Sequence, residues 1–192
     1  MWKSMINSFM MVIVLTMLTG IAYPLTMTVL AQTLWPQQAN GSLIARDGQV
    51  IGSRLIGQNF ASPGYFHGRP SAAGAEGYDA ASSSGSNLGP TNQKLKAAAA
   101  ERTINARSEN NLPQASSIPG DLVLASASGL DPHISPASAY LQVERVAAAR
   151  GLPPAQVRSL VDSHSRGRQF GFLGEPRVNV LELNLALDAV QH

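Results

Sequence analysis

Hydrophobic and polar positions divide this 192-residue chain into two unlike parts. From Phe9 to Leu30 no side chain is charged, and the only polar ones are four threonines and Tyr23. As a helix, those 22 residues extend about 33 Å, enough to cross a hydrocarbon core of about 30 Å. Gly20 and Pro24 interrupt the run, which a membrane helix tolerates because neighbouring groups satisfy freed carbonyls. Trp2 and Trp35 stand at opposite ends, where an aromatic belt is expected. Thr16, Thr19, Thr26 and Thr28 have the option of bonding back to their own helix or across to another. A cleaved signal sequence is the rival reading, with Val29-Leu30-Ala31 as its cleavage pattern and Gln32 as the new first residue. Its apolar region runs to about 7–15 residues, shorter than this one, so an uncleaved anchor is the expectation. Phe9, Leu15, Gly20, Pro24 and Leu30 mark the span.

The remaining pattern predicts an α+β domain. Leu43-Ile44 and Val50-Ile51 flank Asp47-Gly48, a pair suited to a two-residue hairpin turn, and Arg54–Gly57 reads as a further short strand. Pro90 fits the first position of a helix that continues from Gln93 to Arg107. Asp121–Ala125 is a short apolar run whose length does not separate strand from helix. Ser135 as N-cap, Pro136 in the first turn and Gly151 after the last turn bound a second helix. On it Ala139, Val143, Val146 and Ala147 share a face, with Glu144 and Arg145 expected to point away. Pro153-Pro154 opens a third helix through Asp162, so the pair forms a helical hairpin. In the tail, Leu181, Leu183, Leu185 and Leu187 alternate as in a strand, yet Asn179 with Glu182 fits a helix cap. A short strand over 177–180 followed by a helix is the preferred of the two readings. The resulting division is 1–8 as a short cytoplasmic N-terminus, 9–34 as the transmembrane helix, 35–41 as a linker and 42–192 as an extracytoplasmic domain.

Composition and charge sharpen this division. All six methionines lie in the first 27 residues, and Lys3 is the only charged side chain before Arg46. That charge places the N-terminus in the cytoplasm and the long C-terminal part outside it, on the periplasmic face of a bacterial inner membrane. No Cys is present, which excludes disulfide frameworks, thiol nucleophiles and cysteine-ligated metals. Basic residues are scattered and form no run, so a nucleic-acid footprint is not expected. The 58–92 stretch is rich in Gly, Ser, Ala and Pro but also contains Phe60, Tyr65, Phe66 and Tyr78. Disordered linkers are poor in aromatics, so this reads as a functional loop with its own anchors. Tyr65, Phe66, Arg69 and Tyr78 are its candidate partner contacts.

Candidate chemistry is sparse. Gly85-Ser86-Asn87-Leu88-Gly89 puts Asn87 where a nucleophile elbow needs Ser, and a loop of Ser and Asn more often forms a turn network. The histidines at 67, 133, 164 and 192 form no helical i, i+4 metal pair. Asp131-Pro132-His133 reads as a loop ahead of a helix cap rather than as two ligands. Ser83, Ser84, Ser86 and Asn87 precede a helix N-terminus, a place that favours anions or nucleotides, though the same donors also suit the loop's own carbonyls. No catalytic residue, metal or bound cofactor is expected. An independent anchored or secreted periplasmic binding module or hydrolase remains the alternative class.

Longer strings carry a resemblance. Gly52-Ser-Arg-Leu-Ile-Gly-Gln-Asn-Phe60, Tyr65-Phe66-x-x-Arg69-Pro70-Ser71, and Tyr78-Asp-Ala-x-x-Ser-Ser-Gly-Ser-Asn-Leu-Gly-Pro-Thr91 resemble the C subunit of the Kdp potassium-transporting ATPases. So do Asp121-Leu-Val-x-Ala-Ser-Ala-Ser-Gly-Leu-Asp-Pro-His-Ile-Ser-Pro136 and Gly174-Glu-Pro-Arg-Val-Asn-Val-Leu-Glu-Leu-Asn-Leu-Ala-Leu-Asp188. The similarity runs from the anchor to Asp188. It implies a non-catalytic accessory subunit that assembles and stabilises an ATP-driven potassium importer. It also implies a chaperone effect that raises the ATP affinity of the ATPase subunit, so ATP would enter through that partner. The implied partners are a channel-like ion-selecting subunit, the P-type ATPase subunit, a small peptide subunit and the lipid bilayer.

Overall fold

A computed structural model describes residues 1–46 and 48–190. The chain forms two compact units, residues 1–51 and 52–192. The first begins with one continuous helical rod made of α1 (Trp2–Leu15), a π-helical segment (Thr16–Ala22) and α2 (Tyr23–Leu34). It starts well before Phe9, and none of its helical residues is buried against its own chain. The π segment has a local cause. Pro24 has no N–H and its ring would crowd the carbonyl of Gly20 four residues earlier. Widening the turn relieves that contact, and the N–H of Tyr23 reaches back to Leu18 O. Thr19, Thr26 and Thr28 take the intrahelical option, donating to Leu15 O, Ala22 O and Pro24 O at 2.7–2.8 Å.

Pro36 cannot continue this rod and instead opens α3 (Pro36–Ala39), a single turn inside the expected linker. The hairpin follows, as β1 (Leu43–Arg46) and β2 (Gln49–Ser53) paired in a two-stranded sheet. Gly48 takes φ +79° as the turn demands, while Asp47 lies outside the described residues. The expected strand at 54–57 is a turn instead. Its N–H of Gly57 bonds to Leu130 O at 2.7 Å, so a loop rather than a strand supplies its partner.

The second unit is built around a three-stranded antiparallel sheet of β3 (His133–Ile134), β4 (Ser165–Arg166) and β5 (Arg177–Asn179), in the order β3-β5-β4. Val178 at its centre opposes Ile134 on one side and Ser165 on the other. Helices α5 (Pro136–Arg150), α6 (Pro154–His164) and α7 (Val180–Val190) pack on β5. Val143, Val146, Val157, Val161, Val178, Leu183 and Leu187 form the core, and Phe66 from the 58–92 loop is fully buried among them. The tail thus resolves as strand then helix. Asn179 caps α7 by accepting from the N–H of Glu182 at 3.1 Å.

The caps of α5 are as its sequence predicts. Ser135 Oγ accepts from Ser138 N–H at 3.1 Å, and Gly151 takes φ +65°. The apolar run at 121–125 is neither strand nor α-helix but opens with a 3₁₀ turn, Gly120–Leu122. That turn brings the Asp121 carboxylate to the N-terminus of α5, where it accepts from Ser135 N–H (2.6 Å) and Ser138 Oγ (2.6 Å). A negative charge there complements the helix dipole.

Two further expectations fail for physical reasons. Helix α4 (Gln93–Glu109) does not start at Pro90, because the side chain of Asn92 accepts from Lys94 N–H and caps the helix. Arg145 does not point away from the core. It is buried, with 8% exposure, because loop carbonyls converge on its guanidinium. Glu144 is exposed as expected.

The 58–92 loop has no helix or strand, so its buried backbone needs side-chain partners. Asn184 on α7 accepts from Phe66 N–H (2.8 Å) and donates to Phe66 O (3.0 Å). Gln142 on α5 does the same for His67, at 2.8 and 3.2 Å. Each carboxamide imitates one rung of an antiparallel ladder. Replacing Asn184 by Leu keeps the volume but orphans both groups of Phe66, each worth about 1–3 kcal/mol. Urea unfolding of Asn184→Leu is expected to show a loss of about 2–4 kcal/mol, against little change for the exposed Glu144→Gln.

Candidate functional site

A polar concavity of about 400 Å³ lies between the 59–78 loop and α4. His67, Arg69 and Tyr78 line the loop side, Arg102 and Glu109 the helix side, and Gln142 the floor. The position of each follows from bonds already described or from the arginines beneath. Arg145 donates to Pro63 O (2.5 Å), Tyr65 O (3.1 Å), Asn110 Oδ1 (3.1 Å) and Gln142 Oε1 (2.7 Å). Arg150, one turn further along α5, donates to Gly64 O (2.5 Å) and to Asp188 (2.8 Å), and stacks its guanidinium 4.5 Å from the Tyr65 ring centre. The loop therefore wraps two cations of one helix.

Arg69, Arg102, His67 and Glu109 in the cleft are engaged with the protein itself. Arg69 pairs with Asp131 at 3.1 Å and reaches the carbonyls of Leu124 and Ala125. Arg102 donates to Val123 O at 3.0 Å. His67 contacts Glu109 at 3.4 Å and Ser62 O at 3.2 Å. Ser71 Oγ donates to Gly129 O (2.6 Å) and accepts from the N–H groups of Ala73 and Tyr78. Gly129 has φ +68°, and a Cβ there would meet Ser84 O at 2.6 Å, so only glycine allows this close approach. No Ser in this network faces a histidine, and among the described residues no three His, Asp or Glu side chains converge to hold a metal.

Electrostatics agree with bracing. Burial, followed by the nearby Arg145 charge, pushes His67 below the usual histidine value, outweighing Glu109 and the Ser62 carbonyl. Burial, followed by the Asp131 charge, pushes the Tyr78 hydroxyl up. For Asp131, burial acts upward, but hydrogen bonds from His133 and Arg69 together hold it below the usual range.

The residues singled out from sequence fall in separate places. Phe66 is fully buried and its ring is occupied by the core. Tyr65 is half-buried, with its ring 5.5 Å from Phe60 and its hydroxyl on Asp188. Tyr78 donates to Arg69 O. Ser83 and Ser84 are exposed, and their hydroxyls donate to Ser128 O (3.0 Å) and Ala72 O (2.9 Å). Ser86 and Asn87 are exposed beyond them, Asn87 with φ +52°. Asp131 and His133 adjoin at 3.4 Å, next to Arg69 rather than around an open ligand position. Gln142, Arg145 and Asn184 do most of the positioning and were not singled out. Their signal is a polar residue recurring on a helix face that is otherwise apolar: Gln142 lies three residues after Ala139, and Asn184 four after Val180.

A loop braced from below, joined to a long unburied apolar helix, defines a domain with a candidate membrane anchor and polar groups committed to shape. The model of the family "K+-transporting ATPase, c chain" matches residues 5–189. A potassium-transporting ATPase KdpC subunit of Gemmatimonas aurantiaca is 60% identical over 183 residues, covering 95% of this chain and 91% of that protein. The KdpC subunit of Koribacter versatilis is 54% identical over 98% of this chain and 96% of its own length. That of Methylococcus capsulatus is 56% identical over 97% of this chain and its own full length. The chain belongs to the family of C chains of the potassium-transporting ATPases.

The depressed His67 sets a pH dependence. In the unfolded chain His67 takes up a proton near its ordinary value of about 6.5, whereas the folded domain resists it. Stability is therefore complete above that value and falls as the pH drops through it toward the lower folded value. Asp131, also depressed, extends the loss in the same direction at still lower pH. Thermal unfolding is expected to shift downward between pH 7 and pH 5 in the wild-type chain, and that shift is expected to shrink in His67→Gln.

Proposed function

We propose that this chain is a non-catalytic accessory subunit that assembles and stabilises a potassium-importing ATPase in the bacterial inner membrane. The carrying observation is the Trp2–Leu34 helix, unburied by its own chain, in a protein that matches its family nearly end to end. An apolar helix of that length is stable in lipid, where Thr19, Thr26 and Thr28 satisfy their hydroxyls internally and Gly20 allows a neighbouring helix to approach closely. The N-terminus lies in the cytoplasm and the domain outside it, in keeping with the single early Lys3. The partners are the ion-selecting subunit, the P-type ATPase subunit and the small peptide subunit. Half-buried Tyr65, Arg69 and Tyr78 are contact candidates on the domain.

The chain also raises the ATP affinity of the ATPase subunit. With its domain outside the cytoplasm it acts on nucleotide binding indirectly, by favouring one conformation of its partners. Braced loops suit that role, because a rigid surface transmits a preference between two partner states without spending binding energy on its own ordering.

Two measurements test the placement. A charge at the middle of a membrane helix costs about 2.5–3.5 kcal/mol on insertion scales. Leu15→Lys is therefore expected to lower recovery of the other subunits with the tagged chain after mild detergent extraction, and unchanged recovery would contradict a buried Leu15. Because the chain has no Cys, a single Ser117→Cys can report its side of the membrane. An impermeant maleimide is expected to label it from outside intact cells, and labelling only after lysis would reverse the orientation.

A further inference from the structure

The uncharged run does not stop where the rod stops. Residues 35–45 carry no charge either, and the next charged side chain is Arg46, at the end of β1. This stretch is not a slack tether. Gln32, in the last turn of the rod, and Asn40 exchange carboxamide hydrogen bonds at 3.1 and 3.3 Å, and Asn40 also donates to Pro36 O at 2.7 Å. Gly41 and Ser42 then take φ +83° and +50°, a left-handed pair that turns the chain sharply. Their N–H groups bond to Gln38 O (3.0 Å) and Gln37 O (2.8 Å). Two bonded carboxamides keep their Cα atoms within about 12 Å of each other, and Leu43, three residues on, adds at most about 11 Å. The hairpin therefore begins close to the end of the rod, and residues 1–51 are one compact unit. Apolar side chains face outward along it: Leu34 is 59% exposed, Trp35 58%, Leu43 50% and Val50 61%.

We infer that Trp35, Leu43 and Val50 form a foot that rests in the headgroup layer of the bilayer, held there by the Gln32–Asn40 pair. This rests on the proposed membrane placement of the rod and adds a second, peripheral contact with the lipid surface. Three observations select lipid as the occupant. First, the foot continues a surface that already lies in lipid. The Phe9–Leu30 run fills the hydrocarbon, so the residues after it emerge into a headgroup layer roughly 5–7 Å deep on each side, where tryptophan is favoured. Second, the chemistry of the segment suits that layer. Gln32, Gln37, Gln38 and Asn40 are neutral carboxamides among apolar side chains, so no charge has to be desolvated. Amphipathic elements sink their apolar face about 5–10 Å into this boundary, and its water still reaches backbone groups that hydrocarbon would strand. Third, β1 and β2 form a separate two-stranded sheet, and such a sheet is marginal in water until its apolar face is covered. The carboxamide clasp brings that face to the membrane already ordered, which lowers the cost of contact.

Lipid quenching tests this. Because the chain has no Cys, Leu25→Cys and Val50→Cys variants of the full chain can each carry one environment-sensitive fluorophore in phosphatidylcholine vesicles. Lipids brominated on the upper acyl chain are expected to quench the probe at 25, in the rod, and to quench the probe at 50 about twofold, as for a side chain at the headgroup boundary. The quenching at 50 is expected to persist in the assembled complex. Adding Gln32→Ala is expected to remove most of the quenching at 50 and to leave that at 25 unchanged. If the probe at 25 is not quenched, the anchor reading fails. If it is quenched and the probe at 50 is not, the foot alone fails. Blue-shifted emission at 50 without bromine quenching means that protein, a second copy or another subunit, covers the face, and this overturns the foot. Quenching that vanishes on assembly overturns it too, and unchanged quenching in Gln32→Ala overturns the role of the carboxamide pair.

Discussion

Backbone groups buried without a helix or strand must find hydrogen bonds somewhere, and the 58–92 loop meets that constraint with side chains from two helices. Asn184 holds both backbone groups of Phe66, and Gln142 both of His67. Arg145 then collects the carbonyls of Pro63 and Tyr65 and the side chains of Asn110 and Gln142. Phe66 can be buried in the core only because its own peptide groups are satisfied on the way in. The loop, the base of α4 and the face of α5 are consequently one hydrogen-bonded body, and the cleft beside them keeps a fixed shape.

The hydroxyls of this serine-rich loop serve the same constraint. Ser71, Ser83 and Ser84 all donate to backbone carbonyls. Arg69, Arg102 and His67, which in another setting would orient a substrate, tie separate stretches of chain together. Polar side chains spent in this way yield a rigid surface, the property an assembly subunit needs. The rod of the first unit is the opposite case, with an apolar exterior and the hydroxyls of Thr19, Thr26, Thr28 and Thr33 satisfied within the helix itself.

Much of this was legible in the sequence. The uncharged run marks the rod, Asn179 and Glu182 separate strand from helix in the tail, and Ser135, Pro136 and Gly151 delimit α5, because caps and turns are decided by neighbouring residues. What escaped was decided at long range. Arg145 looks like a solvent-facing residue until carbonyls 80 residues away close around it. Pro90 looks like a helix start until Asn92 provides a better cap. Strands β3 and β4 have two residues each, too few to show a period, and exist because Val178 lies between them.

The central claim is that the chain works through its partners and performs no turnover of its own. The most direct test is the ATP-concentration dependence of potassium-stimulated hydrolysis, measured in complexes with and without this chain and in the purified chain alone. The account predicts no hydrolysis by the chain alone, and a weaker apparent affinity for ATP or loss of activity in complexes lacking it. Hydrolysis by the isolated chain, or the same ATP dependence in its absence, would contradict the account.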